Sequence, residues 1–222
     1  MRTYYTRGTI GDTYIILCKL YSVAKKEKIL CRHYTHERLK PVIKEIYSLL
    51  PNIHIEFINA INQIYIKGAF HYLGYEIEQN EYNLKPEYYP EFELGSIEGF
   101  NLPKSYEVLQ TIAGNRQNRK MSMEVIEEIL ASTKLPMVFI GEIDERINRN
   151  KDVRRCTSIK QDINIIRNSK HFYGTQGFLS YVAVSQRVQS TVFVNPKSQL
   201  EINGLRTRIE AVEEWRRFLI RK

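Results

Sequence analysis

The clearest structural signal in the sequence is TYYTRGTIGDTYIILCKLYSVA, residues 3–24. Its opening residues, Thr3–Thr9, are rich in β-branched and aromatic side chains and predict a strand. The turn Gly8–Asp12 follows, and the apolar run Thr13–Ala24 predicts a helix. A strand, a glycine turn and a helix in this order are the start of a βαβ unit, which predicts a parallel sheet.

The same alternation continues to residue 57. Strands are predicted at Lys28–His33 and Ile53–Phe57, with a helix over His36–Leu50 between them. Ile64–Ile66 is a further candidate strand. Residues 71–107 break the pattern with interleaved tyrosines, glutamates and prolines, so this segment is interpreted as a connection between two halves.

The second half repeats the architecture. Strands are predicted at Tyr106–Ile112, Pro136–Gly141, His171–Gly174 and Ser190–Val194. Helices are predicted at Met123–Ser132, from Ser158, at Gly177–Gln186 and from Thr207, and the side chains of Ser122 and Ser158 are predicted to cap the first two of these helices. The sequence therefore predicts an α/β protein of two domains, residues 1–104 and 105–222, each with its own parallel sheet.

Charge is distributed unequally between the two halves. The chain has 33 Lys and Arg against 25 Asp and Glu, a net charge of +8. Residues 1–110 hold 13 of each sign, so the whole positive excess lies in the second half. An anionic ligand is expected there.

Cysteine usage and hydropathy indicate a cytoplasmic protein. Cys18, Cys31 and Cys156 are too far apart in the sequence for a disulfide framework or a zinc cluster. No run of about 20 apolar residues is present, and no membrane span or signal peptide is predicted.

Two glycine turns carry the candidate ligand sites. In the second half Gly174-Thr175-Gln176-Gly177 follows a strand and opens a helix, where backbone amides and the helix dipole suit a pyrophosphate. In the first half Asp12 follows Gly8 and Gly11 at the start of a helix. Its carboxylate is either a general base or a helix cap.

Basic and acidic loop residues add to the second site. Arg116, Arg119 and Lys120 follow a strand of the second half and could neutralise the same phosphates. Glu142 and Asp144 could ligate Mg²⁺, but a solvated loop is the favoured interpretation, so no metal or other cofactor is required.

The combination of these segments resembles the heptosyltransferase-like family of GT-B glycosyltransferases. Gly8–Asp12 resembles the family's Gly-Asp turn, and Gly114–Lys120 its donor-side glycine loop. Phe139–Glu145 resembles its strand, glycine and acidic loop, and His171–Phe193 its late strand, glycine turn, helix and strand. The family turn usually reads Asp-Thr-Gly-Pro-x-His, whereas here Gly174 stands in the place of the aspartate.

The resemblance implies two Rossmann-like halves facing across a cleft. It also implies a metal-independent, inverting transfer of a sugar from a nucleotide-diphosphate sugar to a saccharide or other hydroxyl acceptor. Asp12 would be the base, and Gly8, Thr9 and Gly11 the acceptor-side loop. The implied donor-binding residues are Gly114, Arg119, Lys120, Glu145, Gly174, Thr175, Gln176 and Gly177.

Two alternatives stay open at this point. A sugar transferase that modifies nucleic acid would fit the basic second half and the many tyrosines, although the neutral first half argues against a continuous phosphate track. A non-catalytic descendant that binds a nucleotide would fit the departures in the glycine turn.

Overall fold

A computed structural model of the chain describes residues 1–59, 90–94, 101–113, 120–142, 147 and 158–193. The chain is mixed α/β and divides into two compact units, with the change of unit between Glu93 and Leu94. Each unit has its own parallel sheet, as the sequence predicts. The predicted strand at 64–66 and the helix from Thr207 lie outside the described residues.

The first unit alternates strands and helices around a three-stranded sheet of order β1-β2-β3. Its elements are β1 (Arg2–Arg7), α1 (Ile10–Ala24), β2 (Ile29–Tyr34), α2 (Lys40–Tyr47) and β3 (Ile53–Phe57). Both strand pairs are parallel, with Tyr4 opposite Cys31 and Cys31 opposite Ile55. The carboxyl ends of the three strands therefore lie at one edge.

Two helix boundaries of this unit differ from the sequence prediction. Helix α1 begins at Ile10, not Thr13, so Gly11 and Asp12 belong to its first turn. The predicted helix over His36–Leu50 is a short 3₁₀ turn followed by α2, which begins at Lys40. Pro41 explains this start, because proline lacks an N–H and is favoured in the first turn of a helix.

The core of the first unit lies between its sheet and the two helices, which pack against each other. Its fully buried side chains include Tyr14, Ile16, Leu17, Leu20, Ile29, Ile43 and Ile46. Cys31 is also fully buried, and burial raises the pKa of its thiol to about 12. Cys31 is therefore a small core residue with no reactive thiolate.

The second unit has a four-stranded parallel sheet of order β5-β4-β6-β7. Its elements are β4 (Glu107–Leu109), α3 (Met123–Ser132), β5 (Met137–Phe139), α4 (Ile159–Arg167), β6 (Phe172–Thr175), α5 (Phe178–Ser185) and β7 (Ser190–Phe193). The predicted caps are confirmed: Ser122 and Ser158 accept hydrogen bonds from Val125 N and Gln161 N at 3.4 and 3.2 Å.

Strand β4 is paired on both sides, with β5 and with β6, so its carboxyl end lies in the middle of the sheet edge. Val108 and Leu109 are fully buried. Leu109 packs into a core with Met121, Ile126, Ile129, Phe139 and Ile147. This core fixes the positions of the segments that leave β4 and β5. Among the described residues, none of the helices is both long and apolar enough to cross a membrane.

Candidate functional site

The turn after β1 is held against the end of β2. Gly8 has φ +147°, a conformation that favours glycine, and its N–H donates to the Tyr34 carbonyl at 3.3 Å. The Thr35 hydroxyl donates to the Gly8 carbonyl at 2.9 Å. These bonds fix the point where the chain turns from the sheet into α1.

Asp12 is the third residue of α1 and closes its amino end. Thr9 is the N-cap, and both its backbone N–H and its hydroxyl donate to Asp12 Oδ2 at 3.0 Å. The carboxylate is half-buried and also lies next to the positive end of the helix dipole. Asp12 is therefore part of a capping box, not the N-cap itself.

His33 lies beneath this turn and has no assigned role in the sequence prediction. It is fully buried near the end of β2, and its Nδ1 lies 2.8 Å from the Thr6 hydroxyl and 3.3 Å from the Tyr47 hydroxyl. Burial lowers the pKa of His33 to about 4, against the opposing effects of the Gly8 backbone and the Asp12 charge. The imidazole is thus neutral near pH 7.

In the second unit, three segments meet at the carboxyl edge of the sheet: the residues after β4, those before α3 and those after β5. The residues after β4 form an antiparallel bridge from Ile112 to Lys120 and another from Ile112 to Glu142. Met121 N donates to the Thr111 carbonyl at 2.8 Å. The two ends of the predicted loop after β4 are therefore held together, beside Glu142, the third residue after β5.

The glycine turn after β6 packs directly against the segment after β4. A Cβ built on Gly177 would lie 2.8 Å from the Ala113 Cβ, so glycine is required for this close approach. The Gly177 N–H donates to Ser180 Oγ at 3.0 Å, and that hydroxyl donates to the Gly177 carbonyl at 2.7 Å. The Gly177 amide is therefore used within the turn.

Packing also explains the glycine at position 174. A Cβ there would lie 2.6 Å from the ring of Phe172, which is fully buried, and 3.2 Å from Gln110 Oε1. The space that a side chain at 174 would occupy is filled by these two residues. This is the physical reason why an aspartate does not fit here.

Gln110, immediately after β4, is a polar residue that the sequence prediction missed. It is only 4% exposed, and its Nε2 donates to the Ile112 carbonyl at 3.1 Å. Its Oε1 has no hydrogen-bond partner among the described residues, and the same holds for Thr175 Oγ1, in a residue that is also 4% exposed. The signal in the sequence is a polar residue directly after an apolar strand.

The structure thus places Gly174, Thr175, Gln176, Gly177 and Lys120 in one unit, at or beside one sheet edge. It places Gly8, Thr9, Gly11 and Asp12 at the end of β1 in the other unit. The predicted donor residues Gly114, Arg119 and Glu145 lie outside the described residues, as do Arg116 and Asp144.

Comparison with known proteins gives matches at the level of structure. No protein-family model matches the chain, and no curated protein does. One similar solved structure is the iron-containing heptosyltransferase TibC of enterotoxigenic E. coli, in complex with ADP-D-beta-D-heptose. It is 14% identical with a TM-score of 0.54, over 86% of this chain and 58% of TibC.

Two further structures give similar values. A family 9 glycosyl transferase from Veillonella parvula is 10% identical with a TM-score of 0.54, over 88% of this chain and 81% of that one. E. coli ADP-heptose lps heptosyltransferase II is 9% identical with a TM-score of 0.55, and the match covers 100% of this chain and 99% of that one. The chain spans about three fifths of the length of the two TibC structures, 58% and 63%.

TibC is an iron-containing protein. In the part of this chain that the structure describes, no three His, Cys, Asp or Glu side chains lie together as a metal site requires. The similar structures have in common with this chain the α/β fold with parallel sheets. The resemblance to heptosyltransferases that the turns predict is therefore confirmed for the fold, and the chain has the fold of these glycosyltransferases.

Proposed function

We propose that the protein is a glycosyltransferase that moves a sugar from a nucleotide-diphosphate sugar to a hydroxyl acceptor. The observation that carries this proposal is the shared fold with heptosyltransferases, one of which was solved with ADP-D-beta-D-heptose. Open α/β sheets bind ligands at the carboxyl ends of their strands, and both candidate turns of this chain lie at such ends.

The second unit would bind the donor. Lys120 lies beside the segments that follow β4 and β5, and the glycine turn opens α5, whose dipole favours an anion. Arg119 and the glycine loop at Gly114 would complete the diphosphate site, and Glu145 would contact the ribose or sugar. Because cations and amides can neutralise a diphosphate, we propose donor binding without a metal or other cofactor.

Asp12 would act as the general base. Its carboxylate accepts the proton of the acceptor hydroxyl while that oxygen bonds to the anomeric carbon. The bond from this carbon to the diphosphate oxygen breaks, and the nucleoside diphosphate leaves with the electron pair. Attack opposite to the leaving group inverts the anomeric carbon. Gly8, Thr9 and Gly11 would form the acceptor side.

This mechanism requires the two halves to face each other across a cleft, and we propose that arrangement for the domains 1–104 and 105–222. The acceptor would be a saccharide or another hydroxyl compound. We propose a cytoplasmic location, because the thiol of Cys31, which forms no disulfide bond, fits a reducing compartment.

One alternative has a specific observation in its favour. The Asp12 carboxylate accepts a hydrogen bond from Thr9, and the Gly177 amide donates one to Ser180. Both groups therefore have structural roles without any substrate. A non-catalytic protein that binds a nucleotide would retain the same contacts. The two functions differ in whether the sugar is released from the bound donor.

Two measurements on the full chain test the proposal. Thermal unfolding is recorded with a panel of nucleotide sugars, since a ligand at 100 times its Kd adds about 2.7 kcal/mol of stability. The ligand that stabilises is then incubated with the protein, and release of nucleoside diphosphate is followed by chromatography. Stabilisation with release supports the transferase, stabilisation without release supports the binding protein, and no stabilisation contradicts both.

A further inference from the structure

The side chain of Gln110 lies in a slot between two backbone segments. On one side is Gly174 of β6, where a Cβ would be 3.2 Å from Gln110 Oε1. On the other is Gly141, after β5, where a Cβ would be 3.7 Å from Gln110 Cγ. Gly141 has φ +74°, a conformation that strongly favours glycine. Two glycines therefore leave the room that this amide occupies at the middle of the sheet edge.

The orientation of the amide is fixed by the chain itself. Nε2 donates to the Ile112 carbonyl at 3.1 Å, and turning the amide over would bring two oxygens together. Oε1 is consequently the atom that faces away from Ile112. It has no partner among the described residues, although Gln110 is only 4% exposed.

An acceptor that is buried and without a partner is costly, and native proteins usually provide one. The Thr175 hydroxyl, at the end of the neighbouring strand, is a second buried group in the same condition. Both groups are neutral. A phosphate offers only acceptor oxygens to an amide carbonyl, so phosphate does not satisfy Gln110 Oε1.

We infer that Gln110 Oε1 accepts a hydrogen bond from a neutral O–H or N–H group of the donor nucleotide sugar and contributes to its selection. The inference rests on the proposed function. Lys120 and the glycine turn bind the charge of the diphosphate, while Gln110 recognises a neutral part. That part is a hydroxyl of the transferred sugar, a hydroxyl of the ribose, or an amino group of the base.

The test uses Gln110→Met in the full chain, which keeps the volume and removes the acceptor. Gln189→Met is the matched control, because Gln189 is an exposed residue just before β7. Affinities for ADP, 2′,3′-dideoxy-ADP and an ADP-sugar are measured by calorimetry. Gln110→Met weakens binding about 10-fold for at least one probe, whereas Gln189→Met binds like the wild type.

The three probes separate the sources of the hydrogen bond. If Gln110→Met loses affinity for the ADP-sugar alone, the hydrogen bond is assigned to the transferred sugar. If the variant loses affinity for ADP but not for 2′,3′-dideoxy-ADP, the hydrogen bond is assigned to the ribose. If it loses affinity equally for both, the hydrogen bond is assigned to the base. Each of these results supports the inference. A purely structural role for Gln110 predicts a lower unfolding temperature with unchanged affinity for all three probes.

The failures are also distinguishable. If the wild type binds none of these probes or any other nucleotide sugar, the proposed function and this inference are both wrong. If the wild type binds and Gln110→Met binds equally well, only the inference is wrong. Should Gln110→Met fail to fold, Gln110→Asn withdraws the carbonyl by one methylene and keeps the amide, and the same 10-fold criterion applies to it.

Discussion

Thr9 donates two hydrogen bonds to a single oxygen of Asp12, one from its backbone N–H and one from its hydroxyl, each 3.0 Å long. The pair closes the amino end of α1 and fixes the position of the carboxylate at the end of β1. A structural role and a catalytic role therefore fall on the same side chain, and they have to be separated by substitutions that affect only one of them.

Replacing Asp12 by Asn should leave stability almost unchanged, within about 0.5 kcal/mol, because an amide oxygen can accept the same hydrogen bond from Thr9. Asp12→Ala should lose about 1 kcal/mol, since the Thr9 N–H loses its acceptor. Urea unfolding of the three proteins measures both values. Equal stability of the Asn and Ala variants would show that the capping box contributes nothing.

His33 should make stability depend on pH in a defined window. Its pKa is lowered from 6.5 to about 4 in the folded protein, so between these values the unfolded chain binds a proton that the folded chain does not. The part of the free energy of unfolding that depends on a neutral His33 is fully present above pH 6.5 and is lost as the pH falls to about 4. The difference of about 2.5 units corresponds to about 3 kcal/mol.

The measurement is urea unfolding of the wild type and of His33→Gln at several pH values from 7 to 4. Because the other titrating groups are common to both proteins, the difference between the two curves isolates His33. We expect the wild type to lose more stability than the variant on acidification. Parallel curves would mean that His33 titrates normally in the folded protein.

The contact between Gly177 and Ala113 predicts a rescue. Gly177→Ala should destabilise the second unit by about 1–3 kcal/mol, because its Cβ would lie 2.8 Å from the Ala113 Cβ. Adding Ala113→Gly removes that atom, and the next nearest atom is 3.9 Å away. Gly177→Ala should therefore reduce stability much less in a protein that already carries Ala113→Gly than it does in the wild type. Additive losses would contradict the contact.

Local signals in the sequence predicted the local structure well. The hydroxyls of Ser122 and Ser158 cap helices where the capping motifs place them, because a cap depends only on residues within one turn. The sequence predicts that the glycine turn follows a strand and opens a helix, and it does so between β6 and α5. Helix α1 starts three residues early because Thr9 and Asp12 together extend it.

Contacts between distant parts of the chain could not be predicted in this way. No motif in the sequence gives His33 a role, yet the parallel pairing of β1 and β2 places it beneath the Gly8–Asp12 turn. Gln110 gains its position from Gly141 and Gly174, which are far from it in the sequence. Such residues become visible only when neighbouring strands are placed side by side.

Donor binding should not depend on a divalent metal ion. We expect the affinity for ADP to be the same in EDTA and in Mg²⁺, because Lys120, Arg119 and backbone amides would neutralise the diphosphate. Calorimetric titration under the two conditions measures this. If binding disappears in EDTA and returns with Mg²⁺, Glu142 and Asp144 become the candidate ligands, and Glu142→Gln should then prevent Mg²⁺ from restoring ADP binding.

The role of Asp12 as the general base is tested by the rate at which the wild type and Asp12→Asn release nucleoside diphosphate from the bound donor. Glu124→Gln is the matched control, since it also removes a negative charge from the first turn of an exposed helix end. We expect the rate to fall by about 10²-fold or more in Asp12→Asn at unchanged donor affinity, and to stay normal in Glu124→Gln. A wild-type rate in Asp12→Asn would contradict the assignment of Asp12 as the base.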